Sequence, residues 1–120
     1  MTPLRDIKGE LTTRSIVADE TLTVQLIGCL DMGTTPGFAE FMLDLTSRAI
    51  AGAFRAIRFE TAELYLMSSS AISCFANFLK SVKRMEQPCP ITFRTSEAHR
   101  WQLRAFQPLQ RLAANVVHVE

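Results

Sequence analysis

LTVQLIGCLDMGTTPGFAEFMLDLTSRAIAG, residues 22–52, changes period partway along, and that change decides the fold class. Leu22 to Leu30 is rich in β-formers and almost continuously apolar, which suits a strand covered on at least part of both faces. It ends at Asp31. Thr34-Thr35-Pro36 then supplies an N-cap followed by a proline for the first helical turn. Phe38, Phe41, Met42, Leu45 and Ala49 recur at helical spacing, predicting a helix that runs to about Gly52.

The same strand-then-helix grammar repeats downstream. Ile57 to Leu66 begins with alternation, Ile57 and Phe59 against Arg58 and Glu60, and reads as a strand with an irregular end. Ser68-Ser69-Ser70 opens a helix whose inner face is Ile72, Phe75, Leu79 and Val82, with Lys80, Lys83 and Arg84 favouring the negative end of its dipole. Gln87 to Pro90 breaks it. Ile91 to Thr95 alternates again, Thr95 or Ser96 is placed to cap a third helix lined by Trp101, Ala105 and Leu109, and Pro108 is expected to split that helix. Val116 to Val119 reads as a closing strand and Leu11 to Val17 as an opening edge strand, free to run antiparallel.

That order predicts an α/β fold: a four- to five-stranded, mostly parallel mixed sheet with right-handed crossovers and three to four helices. The loops after Leu30, Leu66 and Phe93 then share the carboxyl edge of the sheet, where ligands and partners of open α/β sheets dock. Asp31, Ser68 to Ser70, and Arg94 to His99 are expected to meet there.

Length and composition narrow the function. At 120 residues and 13.5 kDa, residues 1–120 read as one domain, and 48% hydrophobic with 21% charged residues marks a chain that folds on its own. Thirteen Lys and Arg against 12 Asp and Glu leave no basic excess for nucleic acid or an anionic membrane. The opening MTPLRDIKGE lacks a signal-peptide core and no apolar run approaches the ~18 residues of a membrane span, so a cytoplasmic protein without membrane insertion is expected. Cys29, Cys74 and Cys89 are odd in number and show no C-x-x-C spacing, and His99 and His118 stand apart from them. Neither a disulfide framework, a metal site nor a cofactor is predicted.

Three serines at a helix start place hydroxyls beside unpaired backbone N–H groups and the positive end of the dipole. A phosphate there adds about −1.5 to −2 charges, which the helix end stabilises while a partner packed over the loop is repelled. Capping alone also explains the serines, and capping explains Asp31 equally. A nucleophile, base and orienting acid can be drawn from Ser69, His99 and Asp31, but the sequence has no G-x-S-x-G elbow, no glycine-rich oxyanion loop and no phosphate-binding G-x-x-x-x-G-K-[ST] loop. No catalytic residue is therefore assigned, and a binding domain rather than an enzyme is expected. Met67, Met85 and Phe78 read either as core or as an apolar patch beside the serines; Trp101 and Phe106 read as core.

Gly28-Cys29-Leu30-Asp31 and Met67-Ser68-Ser69-Ser70-Ala71-Ile72 resemble two motifs of the STAS domains of bacterial anti-sigma factor antagonists: the strand ending in G-x-L-D, and the strand feeding a D-S-S-G-type helix start. The resemblance covers about Leu11 to Val119. It implies a STAS-like domain that binds an ATPase-fold serine kinase acting as anti-sigma factor, is switched by phosphorylation at Ser69, with Ser68 and Ser70 as secondary candidates, and is reset by a phosphatase. Asp31, Ser68, Ser69, Ser70, Ala71 and Ile72 are the implied partner contacts. Ser68 stands where the family commonly has aspartate and Ala71 where it commonly has glycine. Those substitutions motivate the alternative, a non-phosphorylated STAS module serving as a structural subunit or as accessory of a transporter ATPase.

Overall fold

In a computed structural model, residues 4–120 are described; the first three positions of the amino-terminal stretch read for a signal sequence lie outside them. The elements run β1 (Leu11–Ala18), β2 (Thr21–Leu30), α1 (Thr35–Ile50), β3 (Ala56–Met67), α2 (Ser69–Lys83), β4 (Ile91–Arg94), α3 (Trp101–Leu112) and β5 (Val117–Val119). They build one five-stranded sheet in the order β1-β2-β3-β4-β5. β1 is antiparallel to β2, and every later neighbour is parallel. The antiparallel pair follows from a two-residue turn in which Asp19 and Glu20 both take positive φ, 53° and 64°, the geometry that matches strand twist.

A sheet ordered as its sequence, with right-handed crossovers, carries all its helices on one face. Along β2, Leu22, Val24, Leu26 and Leu30 are fully buried whereas Thr23, Gln25 and Ile27 are half-buried. Both faces of β2 are thus covered at least in part, the core face completely and the other by half-buried side chains. The other face is polar and includes the linked ion pairs of Arg58 and Arg94 with Glu60, 3.7 and 3.8 Å, and of Arg58 with Glu120, 4.0 Å.

Phenylalanines fill the layer between sheet and helices. Phe75 of α2 is wholly enclosed and its ring centroid lies 5.1 Å from Phe38, 5.4 Å from Phe59, 5.3 Å from Phe93 and 5.8 Å from Phe106. Burying such a ring stabilises by about 2–3 kcal/mol, and here it ties α2 to α1, α3 and two strands at once. Phe78 is also core, 2% exposed and edge-on to Phe59, while Met67 and Met85 are half-buried against the core. The core alternative therefore holds for Phe78.

α3 departs from expectation in three ways. Its buried residues are Gln102, Phe106 and Leu109, with Trp101 and Ala105 only half-buried. It runs unbroken through Pro108, which lies on the exposed side where water can serve the carbonyl of Arg104. Its N-cap is Arg100, without a side-chain cap bond; Ser96 instead accepts from the Ala98 N–H at 3.2 Å in a turn ahead of the helix. Among the described residues, no helix is long and apolar enough to cross a membrane.

Candidate functional site at the carboxyl edge of the sheet

β2 delivers Asp31 through a close backbone approach. Gly28 has φ +106°, and a Cβ placed there would lie 2.0 Å from the Glu10 carbonyl oxygen, so only glycine lets the chain entering β1 pass this strand. Cys29 N–H donates to that same carbonyl at 3.1 Å. Beyond Leu30, Asp31 Oδ1 accepts from the N–H groups of Gly33, 2.9 Å, and Thr34, 3.0 Å. Thr34 Oγ1 accepts from Asp31 N–H at 3.0 Å and donates to Cys29 O at 2.9 Å, so the expected capping threonine braces the loop instead. At the crest, Met32 is 78% exposed.

β3 delivers the serines. Ser68 N–H donates to Leu30 O at 2.7 Å, continuing the β2–β3 ladder one step past the strand. Ser68 is the N-cap of α2, extended at φ −74° and ψ 163°, its Oγ accepting from the Ala71 N–H at 3.2 Å. The same Oγ lies 3.3 Å from Thr35 Oγ1, which also donates to Asp31 O at 2.6 Å. Thr35 thereby joins the Asp31 loop to the serine loop.

The three serines differ in circumstance. Ser68 is half-buried and engaged, whereas Ser69 and Ser70 are exposed in the first turn of α2, before the first intrahelical bond from Ile72 N–H to Ser68 O. That turn holds no acidic residue, so the positive end of the dipole is uncompensated by carboxylates from its own helix. Ala71 is fully buried and Ile72 half-buried against the core. Of the six expected contact residues, Ser69 and Ser70 present their side chains most openly.

The third loop reaches this edge by a different route. His99 packs edge-on against Tyr65, ring centroids 5.1 Å apart, and Gln102 of α3 bonds to the exit of β3. Among the described residues no hydrogen bond joins His99 to Ser69 or Asp31, and no three His, Cys, Asp or Glu side chains are grouped to hold a metal ion. The arrangement offers exposed hydroxyls at a helix mouth, with Met32 exposed at the crest of the loop that Thr35 joins to them; Leu66, 50% exposed, pairs with Cys29 on the sheet face opposite the buried Leu30. Sequence reasoning missed Met32, Gln102 and the bridging role of Thr35. A loop methionine carries no periodicity to flag it, and Thr35 reads as a helix starter.

No family model matches the chain, and no curated protein matches it. Solved structures do. The fold superposes on an anti-sigma factor antagonist from Mycobacterium paratuberculosis with TM-score 0.61 and 16% identity, covering 84% of this chain and 80% of that one. It superposes on the anti-sigma factor antagonist SpoIIAA in its unphosphorylated form with TM-score 0.57 and 16% identity, covering 78% and 82%. The Bacillus cell fate determinant SpoIIAA in its phosphorylated form gives TM-score 0.59 and 14% identity, covering 90% of each chain. At these identities the likeness is one of fold.

Proposed function

We propose that the chain is a regulatory, protein-binding domain that docks an ATPase-fold serine kinase of the anti-sigma class at the Asp31 and Ser68–Ile72 edge, and that phosphorylation of Ser69 releases it. The observation that carries this reading is the division of labour among the serines: Ser68 is occupied as the cap, and Ser69 presents its hydroxyl to solvent at the first position of α2. The shared fold with anti-sigma factor antagonists supports the general role.

The physical logic of the switch is local. A phosphate on Ser69 is tolerated by the chain itself, because the free N–H groups and dipole of α2 favour an anion and no first-turn carboxylate opposes it. A partner seated over Met32 and the serines would instead have to bury a charge of about −1.5 to −2 against its own surface. Release needs no refolding of this domain.

The test is to mix the protein with ATPase-fold serine kinases of the anti-sigma class, with and without ATP. Binding without ATP, one phosphate confined to Ser69, and at least tenfold weaker binding for Ser69→Glu are expected. No binding and no phosphate on Ser68, Ser69 or Ser70 would remove the reading. Tight binding to a transporter ATPase that Ser69→Glu leaves unchanged would favour the non-phosphorylated module.

A further inference from the structure

We propose that Gln102 is a positioning residue for the serine loop, standing in for the strand that β3 lacks on its β4 side. The part that concerns the loop as a switch rests on the function proposed above. β4 pairs with β3 only as far as Glu60 with Arg94, yet β3 continues to Met67 and leads directly into Ser68. Over that stretch β3 also slips against β2: Gln25 pairs with Glu60 but Ile27 with Glu63, and Gly28 pairs with Leu64 but Cys29 with Leu66. Each slip inserts an extra residue and turns backbone groups out of the ladder.

Gln102 meets those groups with its whole amide. Nε2 donates to Thr61 O at 2.6 Å and to Leu64 O at 2.9 Å, while Oε1 accepts from Ser96 N–H at 2.9 Å and lies 3.2 Å from Thr61 Oγ1. Both donors and one acceptor position of the side chain are used, which also settles which way the amide points. The residue is 0% exposed, as are Thr61 and Leu64, so the carbonyls of those two partners would be left without water if the amide were removed. Thr61 Oγ1 donates to Arg94 O at 2.7 Å, linking the same point of β3 to the end of β4. One side chain on α3 thus spans Thr61 and Leu64 on the bulged exit of β3 and ties both to the turn at Ser96.

The consequence is that the path of residues 61–67, and with it the direction in which Ser68 and Ser69 leave the sheet, depends on a residue of a different helix. β2 holds the other side of the exit through Ser68 N–H to Leu30 O. Removing the Gln102 amide releases one side only, so the loop should loosen while the sheet centre stays closed.

Hydrogen–deuterium exchange on the intact protein tests this without any partner, so it decides the role of Gln102 whether or not the kinase reading holds. In Gln102→Met, amides of 62–70 are expected to exchange at least tenfold faster relative to those of 22–26 in β2 than they do in wild type. Leu109→Ala, buried on the same helix, serves as a comparison of general destabilisation and should raise both regions together. Gln102→Glu should loosen 62–70 at neutral pH and recover toward wild type as pH falls, because the protonated carboxyl regains one donor. Where the kinase phosphorylates Ser69, Gln102→Met should raise KM for the protein substrate and leave kcat unchanged. Equal acceleration of both regions in Gln102→Met, matching Leu109→Ala, would overturn the proposal, as would a Gln102→Glu profile that does not change with pH.

Discussion

Replacing Gly28 with alanine tests the backbone approach on which the Asp31 loop depends. The added Cβ would sit 2.0 Å from Glu10 O and 3.1 Å from Glu10 C. Ordinary contact lies near ~3.5 Å, so the chain entering β1 would have to retreat by roughly 1.5 Å. Three costs follow. Holding alanine at φ +106° costs about 1–2 kcal/mol, losing the Cys29 N–H to Glu10 O bond costs about 1 kcal/mol, and the displaced packing costs about 1–2 kcal/mol. The sum is about 3–5 kcal/mol. For a domain of this length that lowers Tm by roughly 10–20 °C. Gly52→Ala separates the terms: its φ is +80° but nothing lies within 4 Å of its Cβ, so only backbone strain remains, about 1 kcal/mol. Urea unfolding of both variants alongside wild type, read by circular dichroism with slopes compared, measures the difference. Equal losses for Gly28→Ala and Gly52→Ala would refute the close-approach argument.

Two further outcomes are expected. Ser68→Ala removes the cap on the Ala71 N–H and should cost about 1 kcal/mol, Ser68→Asp should keep or improve stability, and exposed Ser69→Ala should stay within about 0.5 kcal/mol of wild type; thermal unfolding showing Ser69→Ala as the costlier change would reverse the roles assigned to the two serines. Cys89 is 4% exposed and its thiol is pushed up by burial to about 11 from 9.0. Its thiolate fraction at pH 8 is then about 100-fold below that of an ordinary thiol, so mass spectrometry should find it modified last by iodoacetamide, after Cys29. Because the folded value exceeds the unfolded one, this thiol's contribution to stability is complete below pH 9 and is lost as pH rises through about 11, which a falling urea midpoint over that range would register.

The strands and helices that form the site were legible because each buries one face and repeats at its own period. β2, α1, β3 and α2 follow from Leu22 to Leu30, Phe38 to Ala49, Ile57 to Leu66 and Phe75 to Val82, and the irregular end of β3 follows from the loss of alternation after Glu60. On α3 the expected Leu109 is buried, but Gln102 and Phe106 take the inner places expected of Trp101 and Ala105. Trp101 is the largest apolar residue there yet is only half-buried, whereas Gln102 is enclosed because the bulged exit of β3 needs donors. Pro108 predicts a break from its missing N–H, but the cost depends on whether the orphaned carbonyl faces water, and Pro108 is exposed.

Local chemistry along the chain therefore determined the order of elements, the meeting of three loops at one edge, and the serine run at a helix mouth, since periodicity and capping act over a few residues. Only the tertiary structure decided which serine is occupied, which apolar side chains lie bare beside it and which distant glutamine holds the loop. Those depend on what lies across the gap: Thr35 beside Ser68, the Glu10 carbonyl against Gly28, and α3 beside a strand that has lost its neighbour. Contacts between residues 18 to 41 positions apart leave no pattern within one segment, because each partner has a local explanation of its own.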